Sequence, residues 1–130
     1  MVSIDFSKEG SGYRMVISGH AGYAPAGQDI VCSAVSALFF ATAAYLGDMR
    51  RSGCDVVRAE HGYAELRCSR RGREAMRMAY FGLMCVRGEF PEHVSIRGDI
   101  FKIKGSPCYM GRSGSPSRKF GRIFKEDIHA

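Results

Sequence analysis

A glycine-rich loop that leads into an apolar helix is the feature that most constrains the fold of this chain. Residues 13–18 are rich in β-forming side chains and are followed by Gly19, so we expect a strand to end there. From Ile30 onward apolar residues repeat at helical spacing, and Asp29 is a suitable N-cap for that helix. The sequence therefore predicts a strand, a loop over residues 19–29 and then a helix.

This loop and helix together carry one histidine and one cysteine. Cys32 is expected in the first helical turn, where the positive end of the helix dipole favours a thiolate by roughly 0.3–1 kcal/mol. A nearby imidazolium of His20 would add to this effect, and the carboxylate of Asp29 would oppose it unless it is used for capping or for orienting His20. The residues alone leave two interpretations, a catalytic pair or a small buried cysteine beside a solvated histidine.

The segment resembles the ribosomal-processing cysteine protease family, often called Prp. Members of that family carry a Gly-His pair, a glycine-bearing mobile loop and an Asp-Ile-Val-Cys-x-Ala-Val-Ser run at the start of a helix. The matching residues are Gly19, His20, Gly27, Asp29, Ile30, Val31, Cys32, Ala34, Val35 and Ser36. The resemblance extends from Val2 to about Gly98 and implies a cytoplasmic cysteine endopeptidase.

The resemblance also implies a role for each matching residue. Cys32 would be the nucleophile, and His20 would be the general base and acid. The supporting residues would be Gly19, Asp29 and Ser36, and the loop hinges would be Gly22 and Gly27. The implied substrate is the N-terminal extension of large-subunit ribosomal protein number twenty-seven, cut just after an aromatic pair, and no cofactor is implied.

Length and composition indicate one globular domain. The chain has 130 residues, of which 45% are hydrophobic. Residues 1–6 alternate polar and apolar side chains and lack the pattern of a signal peptide. The most apolar stretch, residues 34–46, falls short of the roughly 20 residues that a membrane span needs. We therefore expect a cytoplasmic protein that does not contact a membrane.

The remaining cysteines and histidines do not form a recognisable metal site. The five cysteines, at positions 32, 54, 68, 85 and 108, contain no CxxC pair, and their odd number argues against a complete disulfide framework. The histidines at 61, 93 and 129 are scattered among them, so we expect reduced thiols and no metal. His61 is assigned to a turn.

The pattern of elements predicts an α+β fold, with a mostly antiparallel sheet packed against two helices. The predicted strands cover residues 2–6, 13–18 and 94–97 and a hairpin within 55–69, and the predicted helices cover residues 30–50 and 72–90. In the first helix, Val31, Val35, Leu38, Thr42, Leu46 and Met49 lie on one side. The opposite side is apolar as well, so we expect burial on more than one face, within the domain or in a homodimer.

Positive charge is concentrated in the C-terminal segment. The net charge is +6, and residues 97–130 hold eight Lys and Arg against three Asp and Glu. We therefore divide the chain into a protease domain, residues 1–98, and a basic extension, residues 99–130, that the family pattern does not cover. The extension is compatible with ribosome or RNA contact, or with a disordered basic tail.

Three functional hypotheses remain at this point. The first is an endopeptidase that acts on a ribosomal protein precursor. The second is the same chemistry directed to another substrate, such as a phage assembly protein. The third is a non-enzymatic protein that binds the ribosome or RNA and in which Cys32 is inert.

Overall fold

In the part of the chain that the structure describes, five strands and two helices follow one another in the order β-β-α-β-β-α-β. The structure, a computed structural model, describes residues 1–25, 27–49 and 53–102. The strands are β1 (Val2–Glu9), β2 (Gly12–Ser18), β3 (Asp55–Glu60), β4 (Tyr63–Cys68) and β5 (Val94–Arg97), and the helices are α1 (Ile30–Asp48) and α2 (Arg73–Glu89). A 3-10 turn, Arg70–Gly72, precedes α2. The predicted α+β class is confirmed.

The strands form one mixed sheet in the order β3-β4-β2-β1-β5. The pairs β1–β2, β2–β4 and β3–β4 are antiparallel, whereas β5 pairs with β1 in parallel after the chain has passed through α2. The prediction of a mostly antiparallel sheet is therefore confirmed. Because β3 and β4 form a hairpin at one side of the sheet, their turn comes close to the end of β2, where the glycine-rich loop begins.

The two faces of the sheet differ in polarity because successive side chains in a strand point to opposite sides. The buried apolar side chains of the sheet are Val2, Ile4, Phe6, Tyr13, Met15, Ile17, Leu66, Cys68 and Val94, and they share the core with both helices. On the other face, Arg14 and Arg67 form ion pairs with Glu65. The hydrophobic core therefore lies between one face of the sheet and the helices.

Helix α1 buries one face and leaves the other uncovered. Its buried residues are Val31, Val35, Phe39, Thr42 and Leu46. The sequence pattern placed Leu38 on the buried side, but in the structure Phe39 is the residue buried there. Leu38 packs against α2 instead, where a Cβ on Gly82 would come within 2.8 Å of its Cδ2. On the outer face, Phe40 and Tyr45 are 55% and 62% exposed, so the expected second buried face is not formed within the described chain.

Helix α1 also meets a simple criterion for a membrane span. Among the described residues it is the one helix long and apolar enough to cross a bilayer, with 19 residues and a mean hydropathy of 1.9. The helix is longer than the apolar stretch identified in the sequence, so its length does not exclude a span. The core helix of a soluble protein passes the same test of length and composition, and α1 packs one face into the core.

The packed core continues past the last strand to Phe101. This ring is 5% exposed and lies 5.8 Å from the ring of Tyr13, 6.0 Å from that of Phe6 and 5.6 Å from that of Tyr80. The domain boundary that we expected after Gly98 would therefore separate Phe101 from the core in which it is buried. Residues 100–101 form a turn, and residues 103–130 lie outside the described part of the chain.

The burial of Phe101 leads to a prediction about truncated chains. Ending the chain after Gly98 should lower the free energy of unfolding by about 3–5 kcal/mol, the typical cost of removing a buried aromatic ring. Ending it after Lys102 keeps that ring and is the matched control. Urea unfolding measures both, and equal midpoints for the two truncations would contradict the assigned role of Phe101.

Candidate active site

The first turn of α1 is shaped by its N-cap residue, Asp29. Asp29 has an extended backbone conformation, and its Oδ1 accepts the backbone N–H of Cys32 at 2.9 Å. Its carbonyl oxygen accepts the N–H of Ser33 at 3.1 Å and the hydroxyl of Ser33 at 3.0 Å. These contacts start the helix at Ile30 and hold Cys32 in its first turn, as the sequence predicts.

The same carboxylate holds the glycine-rich loop against the helix. Its Oδ2 accepts the N–H of Tyr23 at 3.1 Å and the N–H of Ala24 at 3.4 Å. Burial would raise the pKa of Asp29, but surrounding backbone N–H groups outweigh burial and hold the pKa below its usual value. These donors belong to Cys32, Ala24, Tyr23 and Val31. The carboxylate is thus used for capping and for tying the loop, and within the described residues no hydrogen bond links it to His20.

The sulfur of Cys32 has a backbone donor of its own. The N–H of Ala21 points at Sγ, with 3.4 Å between nitrogen and sulfur. Cys32 is half-buried and lies at the end of α1 where the helix dipole is positive. A backbone N–H and a positive helix end both favour negative charge on a sulfur atom, and the thiolate is the nucleophilic form of cysteine.

His20 lies just after β2 and packs on the turn between β3 and β4. The rings of His20 and His61 have centroids 4.6 Å apart, and the N–H of Gly19 donates to the carbonyl of Gly62 at 2.9 Å. A Cβ on Gly62 would come within 3.0 Å of His20 Nε2, so glycine leaves the room that the ring needs. His61 occupies the predicted turn, but its contact with His20 has no signal in the sequence.

His20 and Cys32 line the same open cleft, whose volume is about 660 Å³. One wall is α1, and the other is the β3–β4 hairpin from Ala59 to Ala64. The cleft brings together all the site residues named from the sequence, which are Gly19, His20, Gly22, Gly27, Asp29, Cys32 and Ser36. No hydrogen bond joins the His20 ring to Cys32 in the described chain. Such bonds are often long in a free enzyme and tighten when substrate binds.

Gly19 is required by the backbone geometry at the edge of this cleft. Its φ is +86°, and a Cβ there would come within 2.8 Å of the carbonyl oxygen of Met1. Glycine at this position therefore allows the chain to pass close to the backbone of Met1. Gly22 and Gly27 also line the cleft, and their role as loop hinges stays a prediction.

The environments of the other cysteines predict which thiol reacts first. Burial raises the pKa of Cys68 to about 11 and also raises that of Cys54. We therefore expect brief alkylation near neutral pH to label Cys32 before Cys54 or Cys68, as mapped by mass spectrometry of the digested protein. Earlier labelling of Cys54 or Cys68 would contradict this. Cys108 lies outside the described residues.

Comparison with known proteins gives a family and a fold. A family model described as cysteine protease Prp matches residues 1–95. The fold is similar to that of the S. aureus ribosomal processing protease Prp in complex with a covalently linked product peptide, with a TM-score of 0.67 and 18% identity over 75% of this chain and 98% of that chain. The same protease in complex with a substrate peptide gives a TM-score of 0.63 and 17% identity over the same shares.

A protein from Streptococcus mutans, SMU.848, is also similar in structure. It gives a TM-score of 0.56 and 21% identity, and the match covers 75% of this chain and 92% of that chain. No curated protein matches this chain. The matched residues 1–95 include the loop, Cys32 and the cleft, and they make up more than half of the sequence. The chain therefore belongs to the Prp family of cysteine proteases.

Proposed function

We propose that this protein is an endopeptidase in which Cys32 attacks the peptide bond and His20 transfers the proton. The observation that carries the proposal is that both side chains line one cleft, with a backbone N–H directed at the sulfur. The family supplies the cysteine protease activity, which excludes the non-enzymatic hypothesis. Cys54 and Cys68 are poorer candidates because burial raises the pKa of each.

The proposed reaction passes through an acyl-enzyme. The Cys32 thiolate attacks the scissile carbonyl carbon, and the electron pair of the C=O bond moves to oxygen. When this intermediate collapses, the C–N bond breaks and protonated His20 gives its proton to the leaving amine. His20 then takes a proton from water, the resulting hydroxide attacks the thioester, and the free acid leaves with Cys32 as thiolate again.

The supporting residues have roles that follow from their contacts. Asp29 fixes the helix start and the loop backbone, and Gly19 allows the chain to turn out of β2 next to Met1. Ser36 lies one turn along α1 from Cys32 and lines the cleft.

The cleft suits an extended peptide with apolar side chains. Its walls include Phe39 and Phe40 of α1 and Ala59 and Ala64 of the hairpin. The S. aureus protease of similar fold binds a substrate peptide and a covalently linked product peptide. The proposed substrate is the N-terminal extension of large-subunit ribosomal protein number twenty-seven, cut after an aromatic pair, because apolar walls of this kind suit aromatic side chains.

Incubation with the extended and the mature forms of that ribosomal protein tests the proposal. Wild type should shorten the extended form and leave the mature form intact, and Cys32→Ala should cleave neither. Cys85→Ala is the matched control, because Cys85 is a half-buried thiol on α2 and does not line the cleft. Cleavage by Cys32→Ala would overturn the assignment of the nucleophile. An intact precursor together with a reactive Cys32 would favour another substrate, such as a phage assembly protein.

A homodimer through the outer face of α1 is the second part of the proposal. From Ile30 to Tyr45 this helix carries no charged side chain, and Tyr45, which does not line the cleft, is 62% exposed on it. Two copies related by a twofold axis would place the same apolar face against itself, which makes a second copy the simplest partner.

Sedimentation velocity tests the dimer. Tyr45→Glu should lower the sedimentation coefficient to that of a monomer, because it places a charge in the contact. Met78→Glu on α2, where Met78 is 78% exposed, is the control and should leave the coefficient unchanged. A monomeric wild type, or equal coefficients for the two variants, would contradict this interface.

The basic extension is proposed to contact the ribosome or its RNA in the cytoplasm. Its seven Lys and Arg against three Asp and Glu, over residues 99–130, support this, since contacts with phosphates depend on positive charge. A chain ending after Lys102 keeps the core residue Phe101 and should cleave a short peptide normally. Its binding to ribosomal RNA should be weaker and less sensitive to salt than that of the full chain. Equal affinity and equal salt dependence would contradict the proposal.

A further inference from the structure

His93 is connected to the sulfur of Cys32 through one residue of the loop. His93 immediately precedes β5, and its Nδ1 lies 2.9 Å from the carbonyl oxygen of Ala21. A carbonyl oxygen can only accept a hydrogen bond, so Nδ1 carries the proton and donates it. On its other side, Ala21 donates its N–H to Cys32 Sγ at 3.4 Å. The two hydrogen bonds of Ala21 therefore link His93 to the sulfur.

Ala21 is held tightly between these partners. Its side chain is buried, with 2% exposure, and both its backbone groups are used, the N–H by Cys32 and the carbonyl by His93. His20 is its immediate neighbour in the chain. A shift of Ala21 would therefore move the donor away from the sulfur and displace the imidazole at the same time.

His93 is itself fixed by its surroundings. Its backbone N–H donates to Phe90 at 3.0 Å, and its carbonyl accepts the N–H of Val2 at 2.9 Å. Its ring meets the ring of Tyr23 edge-on, with centroids 5.4 Å apart. Tyr23 also packs on Phe90, with centroids 5.3 Å apart. The turn before β5 therefore contacts the glycine-rich loop on both sides of Gly22, at Ala21 and at Tyr23.

We infer that His93 is a positioning residue of the active site, which holds the Ala21 N–H on the Cys32 sulfur, where this donor stabilises negative charge on the attacking atom. The inference rests on the proposed role of Cys32 as nucleophile. His93 lies outside the lining of the cleft, so it acts through Ala21 and not on the substrate. Neither its position in the sequence nor its spacing from Cys32 indicates this role, because the contact depends on how β5 joins the sheet beside β1.

Two substitutions separate the hydrogen bond from the packing of the ring. His93→Asn keeps a donor near the position of Nδ1. In this variant the rate at which Cys32 is alkylated should stay within about twofold of the wild-type rate. His93→Phe keeps an aromatic ring beside Tyr23 but has no donor. Its rate near neutral pH should fall by about threefold to tenfold, the size expected when a charge-assisted hydrogen bond is weakened. The profile of its rate against pH should move to higher pH.

The groups that could alter this profile directly are the same in every variant. The titratable side chains that line the cleft around Cys32 are Asp29 at the start of α1, His20 after β2, and Glu60, His61 and Tyr63 of the hairpin. Tyr23 of the loop packs on His93 itself. None of them is substituted in the test. A wild-type rate and profile for His93→Phe would overturn the inference, and so would an equal loss in His93→Asn and His93→Phe.

A measurement on the unmodified protein keeps the inference testable if His93→Phe does not fold. Nitrogen-15 NMR of the imidazole groups should find His93 protonated at Nδ1. A proton on Nε2 alone would overturn the inference, because the Ala21 carbonyl would then have no donor. Alkylation and NMR do not involve peptide cleavage. Failure of this inference is therefore distinct from failure of the proposed function, which the cleavage assay with Cys32→Ala detects.

Discussion

Replacing His20 with alanine should abolish measurable peptide cleavage while the protein remains folded. In the proposed reaction His20 protonates the leaving amine and later activates water, and a positioned acid and base contributes about 10²–10⁴-fold to a rate. The side chain is exposed and adds little to the core. The free energy of unfolding should therefore change by no more than about 0.5 kcal/mol. Rates of cleavage of a short peptide, together with urea unfolding, measure the two effects separately.

His61→Ala is the matched control for this experiment. It removes the second imidazole, whose centroid is 4.6 Å from that of His20, and leaves His20 in place. If His61 only supports the ring, cleavage should fall by about tenfold or less, because no proton transfer is lost. Near-normal turnover by His20→Ala would contradict the assignment of the base. Equal losses of cleavage rate in the two variants would also contradict it, because the loss of the His20 ring would then have no greater effect than the loss of the His61 ring.

Local patterns in the sequence predicted much of this fold and the place of the candidate site. Alternation of apolar residues gave the strands, and Asp29 as N-cap gave the start of α1 at Ile30. Because a strand end and a helix start are local features, the positions of His20 and Cys32 at opposite ends of one loop could be inferred before their common cleft was known. The cleft itself needs the β3–β4 hairpin, whose approach to the loop is a tertiary contact.

The features that escaped prediction are all long-range contacts. The parallel pairing of β5 with β1 brings His93 next to Ala21, and no sequence pattern records that these residues meet. The inner place of Phe39 on α1 depends on where α2 packs, since Leu38 is turned toward Gly82. Phe101 follows the last strand in a segment rich in polar and basic residues, and its burial depends on the rings of three other elements.

Substitution of Asp29 should reduce both stability and activity, and two variants separate the reasons. Asp29→Ala removes the acceptor for Cys32 N–H, which typically costs about 1–2 kcal/mol for an N-cap, and also those for Tyr23 and Ala24. Asp29→Asn keeps one amide oxygen for the cap but places an NH₂ group where Oδ2 accepted the loop. Asp29→Asn should therefore lose less stability than Asp29→Ala, whereas cleavage should fall in both because the loop is released. Equal stability of the two variants would contradict this division.

The effect of pH on the wild-type protein gives an independent test of the same carboxylate. Its pKa is lower in the folded protein because backbone N–H groups bind the charged form more strongly than burial disfavours it. The contribution of Asp29 to stability is therefore complete above the unfolded pKa, about 3.9, and is lost as the pH falls through the lower folded value. The difference in free energy of unfolding between wild type and Asp29→Asn should be constant from pH 5 to 8 and should shrink below about pH 4. Urea unfolding at pH 7 and pH 3 measures it. A difference that is the same at both pH values would mean that the charge of Asp29 does not hold the loop and helix together.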